Sequence, residues 1–141
     1  MTTALTQLRF RTEAGDEVTV APTHLVVAGY TGRDLTAVRH HIEELAAIGV
    51  PEPDKIPAFY ELDANLLSTN HEIEVDGTAT SGEVEPVLIR ANGRYYLTVG
   101  SDHTYRKLER FDIHASKAAC PSFPGWRRGR RSAPPHTSTG P

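Results

Sequence analysis

Three carboxylates in the stretch "GEVEPVLIRANGRYYLTVGSD", Gly82 to Asp102, are spaced so that a chain turning back on itself would gather them. An Asn-Gly pair between β-rich runs predicts a two-residue type I′ hairpin loop at Asn92 and Gly93. The ladder then pairs Ala91 with Arg94, Ile89 with Tyr96 and Val87 with Thr98. It continues to Glu85 opposite Gly100 and Glu83 opposite Asp102. Side chains alternate faces with period two, so Glu83, Glu85 and Asp102 share one face. Directly opposed residues have Cβ atoms about 4.5–5.5 Å apart, and like charges there are destabilising. A hard cation reverses that sign, because Mg²⁺ or Mn²⁺ prefers oxygen ligands and keeps waters that a substrate can replace. Gly100 leaves room beside the cluster. A slip of one residue would send Asp102 to the other face, and Pro86, which cannot donate to the ladder, often marks an edge or bulge. On spacing alone, a solvated acidic face is the plainer reading.

The elements that must position these residues are partly legible. "LRFRTEAGDEVTV" alternates on both sides of "EAGDE" and predicts a hairpin, and "THLVVAGY" predicts a more buried strand. A helix is expected over about 32–48, with Thr31 as N-cap, Asp34 three residues on as in a capping box, and Tyr30 and Leu35 as a staple. Leu35, Val38, Ile42 and Leu45 recur at helical spacing, and Gly49 and Pro51 supply the stop. "PEPDKIPAFY" reads as a loop because of its three prolines, and "ELDANLLSTN" fits more than one state. "HEIEVDG" alternates like a strand, and a second strand is expected near Phe111–Ala115. From Pro121 the chain turns rich in arginine and proline, too poor in aliphatic residues to offset its ordering entropy. The expected organisation is one domain over 1–120 and a disordered tail over 121–141. The fold class is α+β, mostly β, with one amphipathic helix.

The charge balance narrows the partners. The net charge is −3, but four arginines, Arg127, Arg128, Arg130 and Arg131, lie in the last 15 residues. Without them 11 basic residues face 18 acidic ones, a net −7, which argues against nucleic acid as a partner. With one cysteine, Cys120, no disulfide can form within the chain, as suits a reducing compartment. The start lacks the apolar run of a signal peptide, and apolar stretches such as "LVVAGY" are too short to span a bilayer. A soluble, cytoplasmic protein without a membrane partner is expected.

The same residues resemble a family. "GEVEPVLI" looks like the Glu-x-Glu strand of the fumarylacetoacetate hydrolase superfamily, and "SDHTYRKLE" resembles its later Asp-x-x-x-Arg-x-x-Gln motif, with Asp102, Arg106 and Glu109 at those offsets. "ASKAACP" is similar to its lysine segment leading into a proline. "GYTGRD", "HHIEEL", "SGEVEPVL" and "GSDHT" look like an uncharacterised bacterial family related to that superfamily. The resemblance covers about residues 25–121 and implies a fumarylacetoacetate hydrolase-like mixed β roll, incomplete at its C-terminal side as in a truncation. It implies Mg²⁺ or Mn²⁺ held by Glu83, Glu85 and Asp102, and Lys117 as the basic residue that assists catalysis at the substrate carboxylate or enolate oxygen. The implied activity is that of a hydrolase or lyase acting on a small 2-oxo or 1,3-dicarbonyl acid. Carbon–carbon cleavage, decarboxylation and hydration are its typical reactions, in catabolism, and a homodimer is the implied assembly. The alternatives are a non-catalytic metal-binding module of that fold and a β-rich interaction domain.

Other residues carry two readings each. His103 and Arg106 are candidate substrate contacts; His103 alternates away from Asp102, and Arg106 could equally pair with an acid near the site. Lys117 could also be a plain surface lysine. His40 and Glu44, four apart, could form a dyad that activates water, but a solvated pair on a helix explains them more simply. No base lies near Cys120 in the sequence, so a nucleophile role is rejected.

Overall fold

The computed structural model describes residues 7–70, 72–124 and 130–131. It is an α+β structure, mostly β, built from small antiparallel sheets and a few helices. β1 (Leu8–Arg11) and β2 (Glu17–Val20) form the expected first hairpin, with Leu8 opposite Val20. β3 (Leu25–Gly29) follows, and then the helix α1 (Leu35–Ala47).

α1 begins later than the sequence suggested. The N-cap is Asp34, not Thr31: its carboxylate accepts from the Thr36 and Ala37 amides at 2.9 and 3.3 Å. An acid that meets two of the helix's unpaired N–H groups outcompetes the hydroxyl three residues earlier. The stop is as expected. Gly49 takes φ +91°, and the Gly49 and Val50 amides donate back to the carbonyls of Ala46 and Leu45. These two bonds make a Schellman cap. Val38 and Ile42 are the buried members of the apolar stripe.

β4 (Ala58–Leu62) pairs antiparallel with β3, from Leu25 opposite Leu62 to Gly29 opposite Ala58. The prolines before it hide this strand from a reading by composition. "HEIEVDG" is corrected in turn: its described residues 72–77 form no strand. The strand starts afterwards, as β5 (Thr80–Ala91), which pairs along its whole length with β6 (Arg94–Tyr105). Asn92 and Gly93 both have positive φ, 52° and 73°, as a type I′ turn requires.

The strand expected near Phe111–Ala115 is instead helical. α2 (Arg106–Glu109) follows β6 directly, and α3 (Ile113–Ala118) is capped by Asp112, whose Oδ1 accepts from the Ala115 amide at 2.9 Å. The same cap logic that moved α1 overrides a short apolar alternation here.

The chain does not leave the fold at Pro121. β7 (Ser122–Pro124) pairs with β6, with Asp102 opposite Ser122, and the Ser68 amide donates to the Ser122 carbonyl at 2.9 Å on its other side. β8 (Arg130–Arg131) pairs with β6 near the turn, with Leu97 opposite Arg130. Ladder bonds are made by backbone, so a segment poor in aliphatic side chains can still complete an open sheet edge. The rest of the expected tail, 125–129 and 132–141, lies outside the described residues. Among the described residues no helix is long and apolar enough to cross a membrane.

One face of the β5–β6 hairpin turns inward. At its turn end Ala91 and Tyr96 are buried with Val18, and Phe10, Val20 and Ile89 pack around them. Phe10 and Tyr96 meet edge to face at 5.1 Å. At its far end the same face presents the candidate site.

Candidate functional site

The ladder brings the three acids to one end of one face in the register expected. Glu83 lies opposite Asp102 and Glu85 opposite Gly100. Their burial differs: Asp102 is buried, Glu85 is half-buried and Glu83 is exposed. Each is within electrostatic reach of the others. Burial, then the charges of Glu83 and Asp102, push the Glu85 carboxyl above the usual range, and Lys117 partly offsets them.

Two cations enter this face from the helices that follow β6. Lys117 comes from α3 and is itself buried, which excludes a plain surface lysine. Its Nζ donates to Asp102 Oδ2 and, at 3.4 Å, to Thr104 Oγ1. Thr104 is fully buried, on the same strand face as Asp102 and two residues on. α3 is held at its N-terminal end: Asp112 caps it, and His114 Nε2 donates to the Glu61 carbonyl of β4 at 2.8 Å.

Arg106, at the start of α2, grips the outer acids. It donates from Nη2 to Glu83 Oε1 at 2.9 Å, from Nη1 to both Glu109 oxygens at 3.1 Å, and from Nε to Ser81 Oγ at 2.6 Å. The guanidinium therefore organises acids around the site, which is the structural alternative of the two read from its spacing. Glu109 owes its place to the helix, one turn after Arg106 on the same side.

His103 points away from this cluster, as alternation requires. Its Nδ1 is buried without a hydrogen-bond partner, beside Gly82, where a Cβ would stand 2.9 Å from that nitrogen. His40 and His41 both lie against Glu44, at 3.4 and 3.7 Å, on the exposed side of α1. Cys120 is buried, and burial followed by the Asp102 charge pushes its thiol upward, away from a nucleophile's range.

Two buried polar atoms at the inner acid have no hydrogen-bond partner: Asp102 Oδ1 and Ser122 Oγ. They belong to facing residues of β6 and β7, and both residues are more than nine-tenths buried. Both line a groove of about 860 Å³, together with Glu85 and Ser101. Beyond this polar end the groove is walled mainly by aliphatic side chains of β1, β2, β3 and β5. Thr104 and Ser122 carry no motif of their own. Their part follows from the pairing of β6 with α3 and β7, which local spacing does not reveal.

The fit to a cation can be tested on these atoms. Among the described residues no three His, Cys, Asp or Glu side chains are grouped closely enough to hold a metal ion. Glu83 is turned to Arg106, which leaves Glu85 and Asp102 as the two acids that line the groove, Asp102 with one oxygen unpartnered. Mg²⁺ is commonly held by one or two carboxylates, with substrate and water completing its shell. Two carboxylates with excess negative charge match that donor set.

The fold and these atoms define an α+β protein, mostly β, with a polar cluster buried at the end of an apolar groove. The chain belongs to the DUF2848 family, described as proteins of unknown function, whose model matches residues 28–127. No curated protein matches the chain, and neither does any solved structure.

Proposed function

We propose that this protein is a divalent-metal-dependent hydrolase or lyase acting on a 2-oxo or 1,3-dicarbonyl acid. The observation that carries the reading is the unpartnered, buried Oδ1 of Asp102, a residue that lines the groove beside a Glu85 whose ionisation is resisted by burial and then by neighbouring acids. A buried carboxylate oxygen without a donor is costly, and a cation at that point would remove the cost.

Glu85 and Asp102 would hold Mg²⁺ or Mn²⁺, with Glu83 joining them once Arg106 releases it. When bound, such an ion acts as a Lewis acid toward a chelated oxo acid. The chain's own residues would do the rest. Lys117 fixes the Asp102 carboxylate through Oδ2, which leaves Oδ1 without a partner. The same ammonium adds positive charge at the place where a substrate oxygen becomes negative. Arg106 holds Glu109 and, until a cation draws it away, Glu83. The resemblance of the Glu-x-Glu and Asp-x-x-x-Arg segments to the fumarylacetoacetate hydrolase superfamily supports the same chemistry, and a β roll of that kind is part of the proposal. A homodimer belongs to it as well.

Turnover tests the reading. An acylpyruvate incubated with the protein and Mg²⁺ should lose its 1,3-dicarbonyl absorbance, and chelation of the metal should stop the loss. No turnover of acylpyruvates or of oxaloacetate with either metal would reject the enzyme.

A further inference from the structure

The groove is far larger than a three-carbon oxo acid needs, and its two ends differ in chemistry. At one end stand Asp102, Ser122 and Glu85, the first two each with a buried polar atom that has no partner. Away from it the walls carry Leu8, Val20, Leu25, Val27, Val87 and Ile89. On β3, Leu25 and Val27 are the half-buried, inward members of the alternation, while Val26 between them is 53% exposed. On β5, Val87 and Ile89 are likewise half-buried, on the face that carries Glu85, while Leu88 is 60% exposed. The apolar walls on β5 thus continue the face of the acidic cluster, and the groove's other polar lining residues are Thr23, His24, Thr31, Arg90 and Ser101.

We infer that the site takes an amphiphilic substrate: a 2-oxo acid with an extended aliphatic tail, head at Asp102 and Ser122, tail along the strip between β3 and β5. The inference rests on the proposed metal-dependent reading for the head and adds the tail. Ser122 positions the head, its buried hydroxyl donating to a ligand oxygen that the fold itself does not satisfy. The tail is recognised by area alone. Each methylene buried in the groove should raise affinity about fourfold, until the groove is filled.

The experiment is a chain-length series on the intact protein with Mg²⁺ present, by titration calorimetry. The probes are pyruvate, 2-oxobutanoate, 2-oxohexanoate and 2-oxooctanoate, with octanoate as the tail lacking the oxo head. The expected result is an affinity that climbs steadily from pyruvate to 2-oxooctanoate, with octanoate much weaker than its oxo counterpart. Val27→Trp, which fills the strip, should shrink the ratio of 2-oxooctanoate to pyruvate affinity. A thermal melt of the variant checks that it folds, and the wild-type series stands without it. Pyruvate bound as tightly as 2-oxooctanoate would overturn the tail while leaving the metal-dependent reading intact. Octanoate bound as tightly as 2-oxooctanoate would overturn the head. Binding of none of these acids would overturn the inference together with the reading beneath it.

Discussion

Glu85 carries a charge that its surroundings resist, and two consequences follow. Its carboxyl is raised first by burial and then by Glu83 and Asp102. A raised acid binds its proton more tightly folded than unfolded, so its ionisation destabilises the fold. The penalty is absent below the ordinary carboxylate pKa, grows through the window up to the raised value, and is complete above it. Glu85→Gln should therefore raise Tm at neutral pH without metal, and the gain should vanish as pH falls through that window; equal gains at all pH values would contradict this. The same proton competes with a cation, so Mg²⁺ affinity should weaken on acidification over that range. Asp102 and Lys117 are the opposite case, a buried pair in which each charge needs the other. Lys117→Met strands the Asp102 carboxylate and should cost about 3–5 kcal/mol of stability, as for other buried pairs broken on one side. Adding Asp102→Asn should recover much of the loss in denaturant unfolding, and a double variant no better than the single would show that the pair is not the cause.

At the scale of elements, helix starts are decided by capping acids. Asp34→Ala should lower stability by about 0.5–2 kcal/mol, while Thr31→Ala should change it little. Equal losses in a urea melt would put the cap back at Thr31. The hairpin that carries the site was legible in the sequence because its register is a local matter. Asn92 and Gly93 can adopt positive φ, and once they do, period-two alternation carries Glu85 to Gly100 and Glu83 to Asp102 without further information. The elements that were not legible depend on partners distant in sequence. β4 forms against β3 despite the prolines before it, and β7 forms because β6 and Ser68 offer backbone partners. "HEIEVDG" alternates as a strand should, yet its described residues pair with no other strand, and alternation without a partner makes none. The site divides the same way. Acids one ladder step apart could be read from spacing, whereas the donation of Lys117 to Thr104 and the facing of Asp102 by Ser122 exist only once α3 and β7 have docked on β6.

The whole molecule is built from separate small sheets rather than one broad one, with its buried apolar cluster centred on Val18, Ala91 and Tyr96. Charged and polar groups are buried at the other end of the same hairpin, where they cost stability unless paired. A molecule arranged this way should be noticeably steadied by whatever completes the polar end. Binding to the folded state alone contributes about 2.7 kcal/mol at a ligand concentration of 100 times Kd. The direct test is a thermal melt of the intact protein across a Mg²⁺ titration, run beside Glu85→Gln. The wild type should melt at progressively higher temperature and saturate, while the variant, stabler at the start, should hold its Tm as Mg²⁺ rises. A flat wild-type response, or the same upward shift in both proteins, would contradict a cation site at Glu85 and Asp102.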